Sequence, residues 1–191
     1  MINVMKKIIG TLNEISNNFI KLVDQSTPDI QEASKLIIES LHSGRKIMFC
    51  GNGGSAADAQ HLSAELVGRY LKNRKPLASI SLTTDTSVIT AISNDFSFDE
   101  IFSRQIESIG NEGDVLYAIS TSSKSKNVIA ALKTAKKLKI KTIGITGSEN
   151  SGFKGLCDVT ISVPALRPDR IQEVHIAVGH IICEILELEL C

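Results

Sequence analysis

The chain has 191 residues, about the length of one ordinary domain and enough to bury a full hydrophobic core. Its Lys and Arg residues number 21 and its Asp and Glu residues number 21, so the formal charge is zero. Without a basic surplus the chain lacks the electrostatic basis of nucleic-acid affinity. These values predict a single domain over residues 1–191 and argue against a nucleic-acid partner.

The cysteines and the apolar runs indicate the compartment. The four cysteines are scattered without a C-x-x-C pair, which suits reduced thiols better than a disulfide framework or a structural zinc site. Asn13 and Glu14 follow the first apolar residues too soon for the apolar core of a signal peptide. The apolar stretch 176–186 is interrupted by His180 and Glu184, so no run approaches the roughly 18 residues needed to span a bilayer. We expect a cytoplasmic protein with no membrane partner.

The first 44 residues or so predict an amino-terminal helical extension. Apolar residues between positions 8 and 22 recur at steps of three and four, which predicts an amphipathic helix ending near Asp24. A second helix is predicted over 28–42, because Thr27 is a plausible amino-terminal cap and Gly44 a plausible stop.

The rest of the chain alternates between strand-like and helix-like segments. Short apolar runs rich in β-branched residues predict buried strands at 46–50, 78–82, 115–119, 141–145 and 159–163. Helical stretches are predicted at 56–70, 85–91, 98–109, 125–138 and 168–190. Because parallel neighbours need crossover connections, this alternation predicts an α/β fold with a parallel sheet covered on both faces.

The loop after the first predicted strand reads Gly51-Asn52-Gly53-Gly54-Ser55 and leads directly into a helix. Its glycines would let backbone amides approach an anion at the positive end of the helix dipole, which favours a phosphate or sugar site. A glycine-rich tight turn is equally common as plain geometry. The loop matches neither a G-x-G-x-x-G fingerprint nor a P-loop.

The loop after the third predicted strand reads Ser120-Thr121-Ser122-Ser123-Lys124-Ser125 and also opens a helix. Its hydroxyls can donate several hydrogen bonds to a phosphate, and its lysine supplies opposite charge. Helix capping is the alternative explanation, but one cap needs one hydroxyl. We therefore favour a phosphate site at this loop.

Two helices carry candidate catalytic or metal-binding groups. His61 and Glu65 are spaced i, i+4 and can reach one ligand or metal, although such a pair is often an ordinary surface contact. Gln172 and His180 are eight positions apart on the last helix, so they lie near one edge of it. His180 stands among apolar residues and is also compatible with a buried core histidine.

The motifs taken together resemble those of the phosphoheptose isomerases, which belong to the sugar isomerase (SIS) domain superfamily. The resemblance spans nearly the whole chain and is carried by these segments: the run from Cys50 to Tyr70, Asn94-Asp95-Phe96, Phe102-Ser103-Arg104, Gly113-Asp114-Val115, Ser120-Thr121-Ser122 and 169–175. It implies a three-layer α/β/α fold with a five-stranded parallel sheet, doubly wound in the flavodoxin-like manner, preceded by the amino-terminal helices.

The resemblance also implies an activity and a site. The activity is conversion of sedoheptulose 7-phosphate to D-glycero-D-manno-heptose 7-phosphate for lipopolysaccharide heptose, by a homotetramer with sites between subunits and one zinc ion per subunit. By position, the phosphate contacts are Ser55, Ser120, Thr121, Ser122 and Ser125. The other substrate contacts are Asn52, Gly53, Gly54, Glu65, Arg69, Asn94, Asp95, Asp169 and Gln172. The zinc positions are His61, Glu65, Gln172 and His180, and Glu65 and His180 match the acid and base positions.

The chemistry is consistent with that set. Aldose–ketose interconversion moves a proton between adjacent carbons through an enediol, which needs a base for the carbon and an acid for the oxygens. A carboxylate and an imidazole suit these tasks, and zinc would polarise the carbonyl. A Glu65 bound tightly to zinc would be a poorer base, so a structural or substrate-orienting role for the metal is an open alternative.

One position departs from the family pattern. Ser123 stands where the family usually has glycine, and Lys124 follows where a small polar residue is common. If position 123 requires a positive φ, its serine carries strain or shifts the loop.

Two other functions are compatible with a SIS domain. One is a tetrameric binding protein that engages the bacterial replication initiator and has lost its catalytic positions, which the presence of Glu65 and His180 argues against. The other is a related isomerase that serves capsule, S-layer or secondary-metabolite heptose.

Overall fold

A computed structural model describes residues 2–191 of the chain. Within that range six α-helices, five β-strands and one short 3-10 helix follow one another. The helices are α1 Val4–His42, α2 Gly54–Val67, α3 Thr86–Asp95, α4 Ser103–Ile109, α5 Lys126–Lys137 and α6 Pro168–Leu190, with the 3-10 helix Phe98–Glu100 before α4. The strands are β1 Ile47–Gly51, β2 Ser79–Ser81, β3 Val115–Ile119, β4 Lys141–Thr146 and β5 Val159–Ser162. Each predicted strand is confirmed to within two residues.

The five strands form one parallel sheet in the order β2-β1-β3-β4-β5. The predicted doubly wound, flavodoxin-like α/β fold is confirmed. The central strands β1 and β3 are buried along their whole length, as near-continuous apolar strands in a sheet with two covered faces must be. The strand order reverses between β1 and β3, and in such sheets the crevice at the carboxyl ends of the two switching strands receives the ligand.

Each face of the sheet has its own hydrophobic core. One core joins Ile47, Phe49 and Tyr117 of the strands to residues of α1, α2 and α6. The other joins Met48 and Leu116 to residues of α4 and α5. Alternate residues along each strand enter opposite cores, because successive side chains point to opposite faces. The glycine loop (residues 51–55) therefore leads into a helix on the first face, and the serine turn (residues 120–125) into a helix on the second.

The amino-terminal segment is a single helix of 39 residues rather than two helices, so the predicted break near Asp24 and the predicted cap at Thr27 are wrong. Asn3 caps the helix instead, its side-chain oxygen accepting from the Lys6 N–H at 3.0 Å. Pro28 lies inside the helix.

Tertiary packing explains why α1 continues through a proline, which removes one helical hydrogen bond. Ser26, two residues after the position where the break was expected, is buried and donates from its hydroxyl to the Ser162 carbonyl at 2.7 Å. Leu22 and Ile30 enter the first core on either side of the proline. Burial of this face holds the helix together where propensity alone favours a break.

One smaller difference concerns the second face of the sheet. The stretch predicted as one helix over 98–109 is divided into the 3-10 helix and α4, with Ser97 capping the former through a 3.1 Å bond from the Asp99 N–H.

Among residues 2–191, no helix combines the length and the apolar character that crossing a membrane requires.

Candidate active site

The glycine loop is shaped by close contacts as well as by turn geometry. Gly53 has φ +55°, a conformation that favours glycine, and α2 begins at the next residue. A Cβ on Gly54 would lie 2.6 Å from Nε2 of Gln172, so the side chain of α6 packs directly on the loop backbone. The predicted sugar contacts Gly54 and Gln172 are thus brought together.

A reciprocal amide pair joins the glycine loop to the start of α5. Asn52 Nδ2 donates to Asn127 Oδ1 and Asn127 Nδ2 donates to Asn52 Oδ1, both at 2.8 Å. Asn127 is buried, and its Oδ1 also accepts from the Val128 N–H at 2.9 Å. The pair bridges the crevice between β1 and β3 and fixes Asn52 at the switch point of the sheet.

The serine turn gathers hydroxyls at the carboxyl end of β3. Ser120 is buried, and its Oγ lies 3.1 Å from Oγ of Ser125, the residue before α5. Ser122 is exposed and accepts from the Lys124 N–H at 3.2 Å. Lys124 Nζ forms an exposed ion pair with Glu149 at 3.0 Å. Hydroxyls at a helix amino end, with unpaired N–H groups behind them, form an arrangement that can bind an anion.

Ser123 has φ +53°, so the positive φ anticipated for the position that is usually glycine is present. The side chain is fully buried and compensates through two hydrogen bonds. Its hydroxyl donates to the Glu149 carbonyl at 3.0 Å and accepts from the Gly152 N–H at 3.2 Å. Ser123 therefore ties the serine turn to the loop after β4.

A cleft beside the serine turn runs to the start of α6. It is lined by Thr121, Ser122, residues 147–149, Ala165, Leu166, Pro168 and Ile171. Asp169 lies in the first turn of α6 and accepts from Arg170 at 2.9 Å and from Arg167. Hydrogen bonds from Arg167 and then Arg170 hold the pKa of this carboxyl well below its usual value. Asp169 is therefore an anion that can accept from sugar hydroxyls.

His61, Glu65 and His180, which we call the His–Glu–His trio, converge between α2 and α6. Nε2 of His61 lies 2.9 Å from Nε2 of His180 and 3.4 Å from Oε1 of Glu65. One donor atom from each residue lies within 4.8 Å of the other two. His180 is half-buried, so the alternative of a buried core histidine is wrong.

Close contact between α2 and α6 makes this convergence possible. A Cβ on Gly179 would lie 2.5 Å from Cδ2 of Leu62, so the helices approach more closely than a larger residue would allow. Gly179 precedes His180 and Leu62 follows His61. The glycine therefore sets the separation of the two imidazoles.

The donor set of the trio fits a zinc ion. Two imidazoles and one carboxylate form a set typical of catalytic zinc sites, which leave a further position open. Gln172, the fourth predicted zinc position, packs on Gly54. That point is ~10 Å along the α2 axis from His61. Within one chain the trio is assembled without Gln172, and a role for Gln172 as a metal ligand stays a prediction.

Of the remaining predicted substrate residues, three lie on the surface and one, Ser55, is buried. Arg69 is exposed just after α2. Asn94 and Asp95 are exposed at the end of α3, where Asn94 Nδ2 donates to Asp95 Oδ1 at 2.8 Å. The following 3-10 helix packs on α5, with Asp99 Oδ2 3.9 Å from Lys126 Nζ. Ser55 is buried at the start of α2.

Sequence reasoning missed several residues of this region. Asp58 lies one turn before His61, and burial, opposed by the His61 charge, raises its pKa to about 6. Asn127 pairs with Asn52, and Tyr70 stacks on His180. Helical spacing from His61 would have found Asp58. The contacts of Asn127 and Tyr70 are made across the fold, so no local signal marks them.

The family model described as SIS domain matches residues 12–147, which places the chain among SIS domain proteins. A phosphoheptose isomerase of Rhodospirillum rubrum is 51% identical over 173 residues, which cover 91% of this chain and 92% of that protein. Another, of Akkermansia muciniphila, is 44% identical over 98% of this chain and 96% of its own length. The chain belongs to the phosphoheptose isomerase family of SIS domain proteins.

Solved structures agree with this assignment. A phosphoheptose isomerase from Neisseria gonorrhoeae superposes with a TM-score of 0.91 at 38% identity, covering 97% of this chain and 99% of that one. One from Francisella tularensis superposes with a TM-score of 0.94 at 32% identity, covering 98% of this chain and 100% of that one. The expected family is confirmed over nearly the whole length of the chain.

Proposed function

We propose that this chain is an aldose–ketose isomerase that converts sedoheptulose 7-phosphate to D-glycero-D-manno-heptose 7-phosphate through an enediol. The observation that carries the proposal is the convergence of His61, Glu65 and His180 on two helices of a phosphoheptose isomerase fold. The assembled trio argues against a binding protein that has lost its catalytic groups.

The substrate's shape accounts for the separation of the two parts of the site. In a seven-carbon sugar 7-phosphate the reacting carbons lie at the opposite end from the phosphate. The groups that bind phosphate must therefore stand apart from those that transfer protons. Hydroxyls at the carboxyl end of β3 and a trio farther along α2 meet this need.

We propose that two segments bind the phosphate. The serine turn would contribute Ser120, Thr121, Ser122 and Ser125, and the start of α2 would contribute Ser55. The sugar hydroxyls would then contact Asn52, Gly53, Gly54, Arg69, Asn94, Asp95, Asp169 and Gln172. The support for the phosphate contacts is position: the serine turn lies at the amino end of α5 and Ser55 at that of α2, where N–H groups and the helix dipole favour an anion.

Glu65 and His180 would act as the acid and base pair. Glu65 is half-buried and lies on the same face of α2 as His61, so its carboxylate is held beside the His61 imidazole. One group takes the proton from the carbon, and the other serves the adjacent oxygen. The protonated base would then return its proton to the neighbouring carbon of the enediol, while the deprotonated acid takes the proton of the other hydroxyl.

We propose that the trio holds one Zn²⁺ per subunit, which would polarise the substrate carbonyl when bound. The support is the donor set, since two imidazole nitrogens and a carboxylate oxygen already lie within 4.8 Å of one another. Metal analysis of the purified protein, before and after chelation, tests this directly. Protein that takes up no zinc after chelation and reloading would contradict it.

We also propose a cytoplasmic homotetramer with sites between subunits, in which residues 1–191 form one SIS domain with its helical extension. The support is the apolar surface of α1 and the separation between trio and serine turn, which a neighbouring subunit can bridge. A role in lipopolysaccharide heptose synthesis, rather than capsule or secondary metabolism, is tested by neighbouring heptose kinase or phosphatase genes.

The decisive experiment is an isomerase assay with sedoheptulose 7-phosphate and the substitution Glu65→Gln. We expect the substitution to abolish turnover while leaving substrate binding within about twofold, because the amide keeps the shape of the carboxylate but cannot accept a proton. Product formation is measured by chromatography, and binding by calorimetry.

Glu107→Gln is the matched control, because Glu107 is an exposed carboxylate on α4. This control should retain full turnover. Unchanged turnover in Glu65→Gln would remove Glu65 from the mechanism. A zinc-loaded wild-type chain that fails to isomerise the substrate would contradict the proposed function itself.

A further inference from the structure

A buried carboxylate near the end of α6 organises the loop that follows α2. Glu187 accepts hydrogen bonds from the N–H groups of Tyr70, Leu71 and Lys72 at 2.8, 2.8 and 2.9 Å. It also accepts from Nε of Arg74 at 2.9 Å, and the side chains of this ion pair are only 3% and 2% exposed. Four donors on one buried carboxylate fix the path of the loop relative to α6.

Arg74 extends this arrangement to the helix that carries Glu65. Its NH2 group donates to the Glu65 carbonyl and its NH1 group to the Leu66 carbonyl, both at 2.9 Å. These are among the last carbonyls of α2, which have no partner within the helix. Glu187 and Arg74 thus tie the carboxyl end of α2 to α6 through buried, charge-assisted bonds.

Tyr70 connects Glu187 to His180, through its backbone N–H on one side and its ring on the other. The Tyr70 ring stacks on the His180 imidazole with centroids 5.8 Å apart and an interplanar angle of 30°. The His61 ring meets the same imidazole edge-on, with centroids 5.1 Å apart. The His180 ring is therefore held between an aromatic face and a second imidazole. Among residues 2–191 no hydrogen bond of the Tyr70 hydroxyl is present, so the contact is made by the ring.

We propose that Tyr70, held by Glu187, is a positioning residue that fixes the orientation of the His180 imidazole for zinc binding and proton transfer. The inference rests on the proposed function and deepens it. Through Arg74, the same carboxylate holds the turn of α2 that carries Glu65, so one buried group positions both catalytic side chains. In this role Tyr70 and Glu187 act through the His180 ring and the end of α2.

The test compares Tyr70→Leu with Tyr70→Phe. Both keep the backbone N–H that binds Glu187, but only phenylalanine keeps the stacked ring. For Tyr70→Leu we expect kcat to fall about 10-fold with KM within about twofold, and zinc to bind about 10-fold more weakly, as is typical when a residue that orients a metal ligand is lost. The Tyr70→Phe variant should have a kcat and a zinc affinity within about twofold of those of the wild type.

The readouts separate positioning from folding. Zinc affinity is measured by competition with a chromophoric chelator, and the thermal unfolding midpoint is recorded for each variant. Asn73→Ala, an exposed position in the same loop, is the control and should match wild type throughout. A second variant, Glu187→Gln, should also weaken zinc binding and lower kcat.

Two results would overturn the proposal. One is a folded Tyr70→Leu variant with wild-type kcat and zinc affinity, and the other is a Tyr70→Phe variant as impaired as Tyr70→Leu. If the wild-type chain binds zinc but does not isomerise the sugar, the proposed function fails. The comparison of zinc affinities between the two Tyr70 variants then still decides whether Tyr70 positions His180.

Discussion

At the scale of single residues, Ser123 shows how a strained position is retained beside a binding loop. A left-handed conformation costs a residue with a Cβ roughly 1–2 kcal/mol. Two hydrogen bonds of its buried hydroxyl, to the Glu149 carbonyl and from the Gly152 N–H, offset that cost. They also join two loops at the carboxyl edge of the sheet, so the strain is coupled to the shape of the proposed phosphate site.

Comparing Ser123→Gly with Ser123→Ala isolates the backbone strain. Both substitutions remove the hydroxyl and its two hydrogen bonds, but only alanine keeps the Cβ in a left-handed conformation. We expect Ser123→Ala to have a free energy of unfolding lower than that of Ser123→Gly by about 1 kcal/mol. Denaturant titration of both proteins measures the difference. Equal stabilities would show that the backbone at position 123 relaxes.

Much of the candidate site could be predicted from the sequence because its signals are local. The i, i+4 spacing of His61 and Glu65 and the hydroxyl run at 120–125 are visible in short windows. The stacking of Tyr70 on His180 and the pairing of Asn52 with Asn127 join residues far apart in the chain. Such contacts follow from the packing of elements and leave no periodic signal.

At the scale of elements, the contact between α2 and α6 decides whether the trio forms. Gly179 packs on Leu62 at the level of the two imidazoles, and Glu187, about two turns farther along α6, binds the loop after α2. The glycine sets the distance between the helices and the carboxylate sets their relative position along the axis. The trio thus depends on two contacts that lie outside it.

Gly179→Ala tests the first of these contacts. The added methyl would lie 2.5 Å from Cδ2 of Leu62, so either Leu62 or the whole of α6 must move. We expect weaker zinc binding and a loss of stability of about 1–3 kcal/mol, the usual cost of overpacking. Calorimetric zinc titration and thermal unfolding measure the two effects. The double variant Gly179→Ala with Leu62→Ala, which removes the clash, should recover zinc affinity if helix separation is the cause.

Glu187 predicts a pH dependence of stability. Burial by itself would raise its pKa, but the hydrogen bonds from Lys72, Leu71 and Tyr70 and the charge of Arg74 lower it from 4.5 to about 2. A lowered pKa means that the carboxylate stabilises the fold above pH 4.5 and that this contribution is lost as the pH falls toward 2.

The measurement is the free energy of unfolding of wild type and Glu187→Gln as a function of pH. We expect wild type to be more stable near neutral pH, and the difference to shrink as the pH is lowered through this window. A difference that stays constant from neutral pH to the acid end would contradict an ionised Glu187 in the folded state.

The elements themselves were predictable to different degrees. The strands were found because apolar β-branched runs bounded by loops are typical of a sheet buried on both faces. The break predicted in α1 was wrong, because Pro28 and Thr27 are local signals while burial of Ser26 and Leu22 against the rest of the fold keeps the helix continuous. Packing outweighs propensity at that point.

At the scale of the whole molecule, α1 presents an apolar surface that its own chain does not cover. Ile8, Ile9, Leu12, Ile20 and Val23 are between 50% and 66% exposed. A row of exposed apolar residues on this scale is typical of a subunit interface. A neighbouring copy on this surface is what the proposed tetramer requires.

Replacing Leu12 with Glu tests this surface. A charge in an apolar interface is costly to bury, so we expect the variant to dissociate to smaller species. Light scattering coupled to size-exclusion chromatography measures the mass. Asn13→Glu, at an exposed neighbouring position, is the control and should keep the wild-type mass. A Leu12→Glu protein of unchanged mass would show that the surface is not the interface.

The length of α1 carries one more consequence. A helix of 39 residues extends ~58 Å, almost twice the ~30 Å width of a small domain. Its first turns therefore reach past the chain's own core, and in the proposed tetramer they would gain hydrophobic stabilisation from the other copies. Formation of the active enzyme would then depend on the encounter of separate chains and hence on their concentration. Diluted chains should lose specific activity and regain it slowly on concentration, with a lag set by reassociation.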